Sequence, residues 1–440
     1  MSLAQPDLTT EDTEVFAENN PAEMERAACP RPARRDAGAP TSEVWAEGAE
    51  EKPPKEHLGL QPLASARWDW SSVGRVLVVR LRSIGDTVLA TPALFALRRF
   101  LPNARLDILL EDWVAPVLDG FDGVDHIVTI EGASAGERAR VARQLRAAQY
   151  DVVYNLHGGT TATFLTRASS ARHRVGFAHY QYSRLHNHLA PTALELWGRP
   201  KLHSVEQQLA LLGWTGVPVS DCPPTRLAVT DKALANVSHK LREARNPKIN
   251  RPLPQAVLTG FGLAHDDFEP FALMHPTAAF ETKRWATDKF ARVAEELGGR
   301  GLKTIAIAAT REARVIDDLI KESRTGVLGL AGLSLPEITA LASKARLFVG
   351  NDSGMAHIAA AAGAPLVVIF GSSNVTHWRP WTSQPYEVVH EELPCQPCHG
   401  YFCAEFEKPE CILRVPVERV VAAIDRVLAE SEKSPVDSQR

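Results

Sequence analysis

From about residue 75 onward, short runs of β-branched and aliphatic residues alternate with stretches whose apolar positions recur at helical spacing. The first series of apolar runs covers 75–80, 105–110, 125–130 and 151–156. Between the first two, Leu89, Ala93, Ala96, Leu97 and Phe100 mark one face of a helix, with Pro92 inside the pattern predicting a kink or a shortened helix. A second series covers 271–275, 303–308, 346–350 and 365–370, separated by helical patterns over 287–297, 311–321, 335–342 and 354–362. Strand and helix in alternation predict a parallel sheet covered on both faces. Two such series in one chain predict two doubly wound units, with the carboxyl ends of both sets of strands facing a shared cleft. The rhythm weakens over 178–270, where Pro- and Asn-rich turn chemistry at 246–254 predicts a linker.

Composition sharpens this picture. The chain has 440 residues, 45% of them apolar and 23% charged, which is an ordinary globular balance with a sizeable core. The formal charge is −4, but residues 1–66 carry thirteen Asp/Glu against six Lys/Arg, a net of −7, so the remainder is mildly basic at about +3. Those first 66 residues hold eight prolines and only two aromatics, Phe16 and Trp45, and are expected to be a disordered acidic extension with order beginning near Arg67. An N-terminal Rossmann-like domain over 67–250 and a C-terminal one over 251–440 follow. The charge balance argues against a nucleic-acid partner. No stretch reaches the ~20 apolar residues that span a bilayer, and the acidic start lacks a secretory pattern, so a cytoplasmic protein is expected.

The candidate chemistry sits where strands end. The first strand runs into Arg80-Leu-Arg82-Ser83-Ile-Gly85-Asp86 and then a helix. Asp86 there is either a helix-capping carboxylate or a general base projecting into the cleft. After 271–275, Thr277 and Lys283 suit an anionic ligand such as a diphosphate, although a solvated loop explains them equally well. Asp352, Ser353 and Gly354 open an Ala-rich helix in the way that a phosphate-receiving helix start does, and His357 follows one turn later, a position that a core histidine would also fill. Glu312 stands where a carboxylate could hold ribose hydroxyls or merely complement a helix dipole. His157 and Gly158, after 151–156, are placed to line the other side of the cleft, or form a plain glycine turn. Arg82, Arg167, Arg172 and Arg174 lie in or near first-half strand-end segments, as acceptor-phosphate ligands or a solvated basic face.

Taken in order, Arg80-x4-Gly85-Asp86-x5-Pro92, Lys283-Arg-Trp285 and Asn351-Asp-Ser-Gly-x-x-His357 resemble the glycosyltransferase family 9 heptosyltransferases over about residues 74–425. The resemblance implies a GT-B fold and inverting transfer of heptose from ADP-heptose to a lipopolysaccharide inner-core sugar at the inner membrane surface, with no cofactor required. By position it makes Asp86 the catalytic base. It makes Thr277, Lys283, Glu312, Leu333, Asp352, Ser353, Gly354 and His357 the donor site, with Leu333 against adenine. Arg80, Arg82, Ser83, His157 and Gly158 then fall on the acceptor side. The sequence departs from the family pattern at Ala308 and Ala309, at Met355 and in the length of the turn near Thr277. Another donor sugar, a protein acceptor, a non-catalytic sugar-nucleotide-binding paralogue and an epimerase are the alternatives.

Four of the six cysteines, Cys395, Cys398, Cys403 and Cys411, fall within seventeen positions. A structural zinc or iron and a set of reduced packing thiols are about equal readings of that cluster. Neither makes a metal catalytic.

Overall fold

The computed structural model describes residues 59–132, 134–244, 269–398 and 400–433. The expected extension falls outside the described residues up to position 58, as does the expected domain boundary at 250/251. From residue 62 onward the described chain forms one compact unit. Order starts a little earlier than Arg67: the Leu63 and Ala64 amides both donate to the Gly213 carbonyl at 3.1 Å.

Two six-stranded sheets, parallel throughout, organise the unit. The first has the order β3-β2-β1-β4-β5-β6, from β1 (Arg75–Val79), β2 (Arg105–Glu111), β3 (His126–Ile130), β4 (Val152–Asn155), β5 (His173–Phe177) and β6 (His188–Ala190). The second has the order β12-β11-β10-β7-β8-β9, from β7 (Phe271–His275), β8 (Lys303–Ala308), β9 (Val327–Ala331), β10 (Leu347–Asn351), β11 (Leu366–Phe370) and β12 (Tyr386–His390). The expected α/β fold of two Rossmann-like sheets is therefore present. The central strands read as unbroken apolar runs because helices cover both faces: every residue of β7, β10 and β11 is buried.

In each sheet the strand order reverses between two neighbours, β1 with β4 and β7 with β10, and a crevice opens at their carboxyl ends. Most of the candidate motifs follow those four strands, while Glu312 follows β8 and Leu333 follows β9. Short strands β5, β6, β9 and β12 complete the sheets; they contain glycine or histidine or lie half-exposed at an edge, and so lack the apolar run that marks the others.

The main helices are α1 (Ile84–Val88), α2 (Thr91–Phe100), α3 (Ala135–Ala147), α4 (Thr160–Ala168), α5 (Ser204–Gly213), α6 (Asp231–Ala244), α7 (Thr287–Gly299), α8 (Ala313–Glu322), α9 (Leu335–Lys344), α10 (Gly354–Ala361) and α11 (Val417–Lys433). Pro92 explains the break after α1: it takes the first turn of α2, where a missing N–H leaves no bond unmade. Helix α6 packs on α9 and β9 of the second sheet, and Lys240 pairs with Glu337 at 2.7 Å.

The two faces of the first sheet differ. One joins residues of both sheets, among them Val76, Val78, Leu273 and Phe348, in a single apolar cluster. The other buries Val141 and Leu145 of α3 and Ala162 and Leu165 of α4 against Leu77, Val79 and Val153, with no second-sheet residue. Helices α3 and α4 therefore form an outer layer.

Candidate active site

Asp86 occupies the first turn of α1, immediately beyond β1. Its Oδ2 accepts from the Ser83 hydroxyl at 2.9 Å and from the Ser83 amide at 3.2 Å, so the carboxylate reaches back over the helix start. Its Oδ1 pairs with the Arg80 guanidinium, whose Nη1 also donates to the Leu156 carbonyl at 2.6 Å. Burial raises the Asp86 pKa, but Arg80, the two Ser83 bonds and His157 outweigh it and hold the carboxyl below the usual range. Asp86 thus closes a helix terminus and stands there as an ionised carboxylate.

The loop after β4 supplies the neighbouring wall. Asn155 Oδ1 accepts the amides of His157 and Gly158 at 3.1 and 2.9 Å, and Gly158 takes φ +85° against the Tyr180 ring, where a Cβ would approach to 2.8 Å. Burial, reinforced by Arg80 and Arg82, pushes His157 down to about 3, so its ring is neutral beside Asp86. Arg82 and Ser83 lie at the rim, with Arg82 Nε 3.9 Å from Glu111. Arg174 belongs elsewhere: its guanidinium donates to the Ala171 and Leu185 carbonyls at 2.7 and 3.2 Å and braces a turn.

The second half assembles most of its expected donor residues around β7 and β10. Lys283, on a short 3-10 turn Glu281–Lys283, lies 2.9 Å from the buried Asp352, whose other contact is the Ser373 hydroxyl at 2.5 Å. Burial raises the Asp352 pKa, and Lys283 and Ser373 more than reverse it. Thr277 Oγ1 donates to Glu312 at 3.1 Å and lies 3.1 Å from His275 Nε2; Ser353 Oγ lies 3.3 Å from His275 Nδ1. One hydroxyl proton cannot serve both neighbours of Thr277, so His275 donates through Nε2 and accepts from Ser353 through Nδ1. Burial pushes that ring down to about 4 and keeps it neutral. Ser353 is the N-cap of α10 yet makes no side-chain cap bond, which leaves the first amides of the helix to another acceptor. Leu333 is half-buried after β9, next to Gly332, whose Cβ position lies 2.5 Å from Thr310 Oγ1 in the turn that carries Glu312.

The two halves meet at glycines. A Cβ on Gly85 would lie 2.8 Å from His357 Cδ2, and one on Gly354 would lie 3.0 Å from Ile84 Cγ2. His357 is buried, is lowered chiefly by that burial, and feels Asp352 on one side and Asp86 on the other. The starts of α1 and α10 therefore abut, and the base candidate and the donor loop share one locus. Several members of this locus carry no sequence signal of their own. His275 looks like a strand end, and Ser373 and His377 stand near Asp352 and Asp86 only through tertiary packing. An isolated histidine closing an apolar strand was the one available clue.

The four cysteines of the 395–411 segment lie near one another. Cys395, Cys398 and Cys403 are half-buried, Cys411 is buried, and all four are free thiols. Burial first, then the three neighbouring thiols, push Cys411 up to about 11. Among the described residues no three His, Cys, Asp or Glu side chains are disposed to hold an ion.

Comparison with known proteins places this geometry. The family model described as glycosyltransferase family 9 (heptosyltransferase) matches residues 138–408. Lipopolysaccharide heptosyltransferase 3 of Escherichia coli (strain K12) is 27% identical over 373 residues, covering 80% of this chain and 98% of that protein. Among solved structures, a family 9 glycosyl transferase from Veillonella parvula superimposes with a TM-score of 0.65 at 19% identity, covering 81% of this chain and 98% of the other. The E. coli ADP-heptose lipopolysaccharide heptosyltransferase II does so with a TM-score of 0.64 at 20% identity, covering 81% and 99%. The fold they share with this chain is GT-B.

Proposed function

The chain belongs to glycosyltransferase family 9, the heptosyltransferases, and we propose that it moves heptose from ADP-heptose to an inner-core sugar of lipopolysaccharide by single displacement, with Asp86 as the base. The observation that supports this reading is the abutment of α1 and α10 through Gly85, Gly354 and His357, which brings an ionised carboxylate beside the helix start and the Lys283–Asp352 pair.

The chemistry follows from charge. As the acceptor hydroxyl attacks the anomeric carbon, the carbon–oxygen bond to the diphosphate breaks, and negative charge grows on the departing ADP. Lys283 and the uncapped amides at the start of α10 neutralise it. Lys283 already holds Asp352, so donor binding inserts a phosphate oxygen into an existing charge pair. The attacking hydroxyl gives its proton to Asp86, and attack from the face opposite the leaving group inverts the anomeric centre. Thr277 joins Lys283 at the diphosphate, Glu312 takes the ribose and Leu333 the adenine. Arg80 is the pivot on the acceptor side: an acceptor anion that draws its guanidinium away raises the basicity of Asp86 when the hydroxyl arrives.

Incubation with a panel of ADP- and UDP-sugars and a core acceptor, read by mass spectrometry, tests the reading. A heptosylated acceptor formed only from ADP-heptose is expected. Preferential transfer of another sugar, or turnover of the nucleotide sugar without any acceptor, would overturn it.

A further inference from the structure

The outer layer of the first half carries a concentrated positive charge. Residues 135–184 hold eight arginines against two carboxylates, Glu137 and Asp151, a net of +6 in a chain of net −4. Six of those arginines are exposed: Arg140, Arg143, Arg146, Arg167, Arg172 and Arg184. Elsewhere most exposed arginines are matched, as in Arg292–Glu418, Arg300–Asp425, Arg419–Glu391 and Arg426–Glu387. Here only Arg140 is, by Glu137 one turn away; among the described residues none of the other five pairs with a carboxylate.

Two aromatic rings stand among these cations. Phe164, on α4, is 51% exposed and Tyr182 59% exposed, with ring centroids 5.4 Å apart. An exposed phenylalanine on a helix whose other face already fills a core contributes nothing to that core. Arg167 follows Phe164 one turn later, and Arg184 lies on the short turn Ser183–Leu185 that carries on from Tyr182. Unpaired guanidinium groups around exposed rings suit a surface that is anionic outside and apolar beneath. Helix α4 starts directly from His157-Gly158-Gly159 at the acceptor side of the crevice and carries Arg167 in its last turn, as α3 carries Arg146, so the charged face reaches from that side to the far end of the outer layer.

We propose that the α3–α4 face is a docking surface for an anionic phospholipid bilayer, and that it turns the acceptor side of the crevice toward lipid-linked substrate. The orienting role rests on the function proposed above; the lipid contact does not. Duplex nucleic acid would engage the arginines through its phosphates and leave Phe164 unused, and the whole-chain charge of −4 opposes any nucleic-acid partner, so a bilayer is the favoured occupant.

Co-sedimentation of the full chain with vesicles of phosphatidylcholine alone, or mixed with phosphatidylglycerol, tests the proposal. Binding to the anionic vesicles only, released as salt shortens the range of the charges, is expected. At roughly fivefold per arginine, Arg143→Glu/Arg146→Glu/Phe164→Ser should bind at least tenfold more weakly, with Arg143→Gln/Arg146→Gln intermediate. Both variants should keep the wild-type melting temperature and the wild-type rate on a water-soluble core acceptor. Equal vesicle binding by wild type and variants, binding indifferent to lipid charge, or preference for an RNA or DNA oligonucleotide over vesicles would overturn the proposal. Loss of transfer by the wild type on the soluble acceptor would instead count against the enzymatic reading and leave the vesicle result standing.

Discussion

Lys283 and Asp352 illustrate how one charge pair serves both folding and chemistry. Removing Lys283 alone strands a buried carboxylate, a change that costs about 3–5 kcal/mol when a buried pair is broken. Lys283→Met should therefore be strongly destabilised, and Lys283→Met/Asp352→Asn should regain most of that stability because no charge is left without a partner. The double variant should still bind ADP-heptose at least tenfold more weakly, since the cation that meets the diphosphate is gone. Denaturant midpoints with donor titration calorimetry separate the two effects, and full recovery of donor affinity in the double variant would remove Lys283 from the site.

The junctions between strand and helix were the most legible elements. Strands such as 75–79 and 271–275 announce themselves because burial on both faces demands a continuous apolar run, and the chemistry sits on the first residues after them. Asp86, Lys283, Asp352 and His357 are legible as candidates that way. What was hidden depended on tertiary contact: β5 and β9 carry a glycine within the strand, α5 is buried nearly all round and so shows no helical stripe, and Ser373 reaches Asp352 across twenty-one residues. The opposed glycines were equally invisible, because each alone is an ordinary turn residue. Their pairing yields a prediction for α1. Gly85→Ala gains helix propensity of about 1 kcal/mol, while a Cβ 2.8 Å from His357 costs about 1–3 kcal/mol of overpacking. The strain lies between the halves, so separating α1 from α10 relieves it. The melting temperature should change by only a few degrees, and the rate of transfer should fall at least tenfold; an unaltered rate would show that the abutment of α1 and α10 is dispensable.

At the scale of the whole molecule, buried neutral histidines tie stability to pH. Burial pushes His157 and His203 down to about 3 and His275 to about 4, whereas in the unfolded chain each titrates near the ordinary value of about 6.5. Below that value the unfolded state binds more protons, so stability is full above about pH 6.5 and falls as pH drops toward 4. Three such groups remove up to about 4 kcal/mol by pH 5.5. Asp86 and Asp352, held below the usual range, lose their contribution only at more acidic pH and do not mask the effect. Denaturant midpoints at pH 7.5 and 5.5 should differ accordingly, and equal midpoints would contradict the burial of these rings. Among the described residues no helix is long and apolar enough to cross a membrane.

The most direct measurement compares Asp86→Asn with wild type for donor affinity and for turnover on the same acceptor. The amide keeps the shape and removes the base, so ADP-heptose should bind with nearly wild-type affinity while kcat falls by about 10²–10⁴. Wild-type turnover by Asp86→Asn would contradict the assignment of the carboxylate as the proton acceptor, and with it the mechanism built on that crevice.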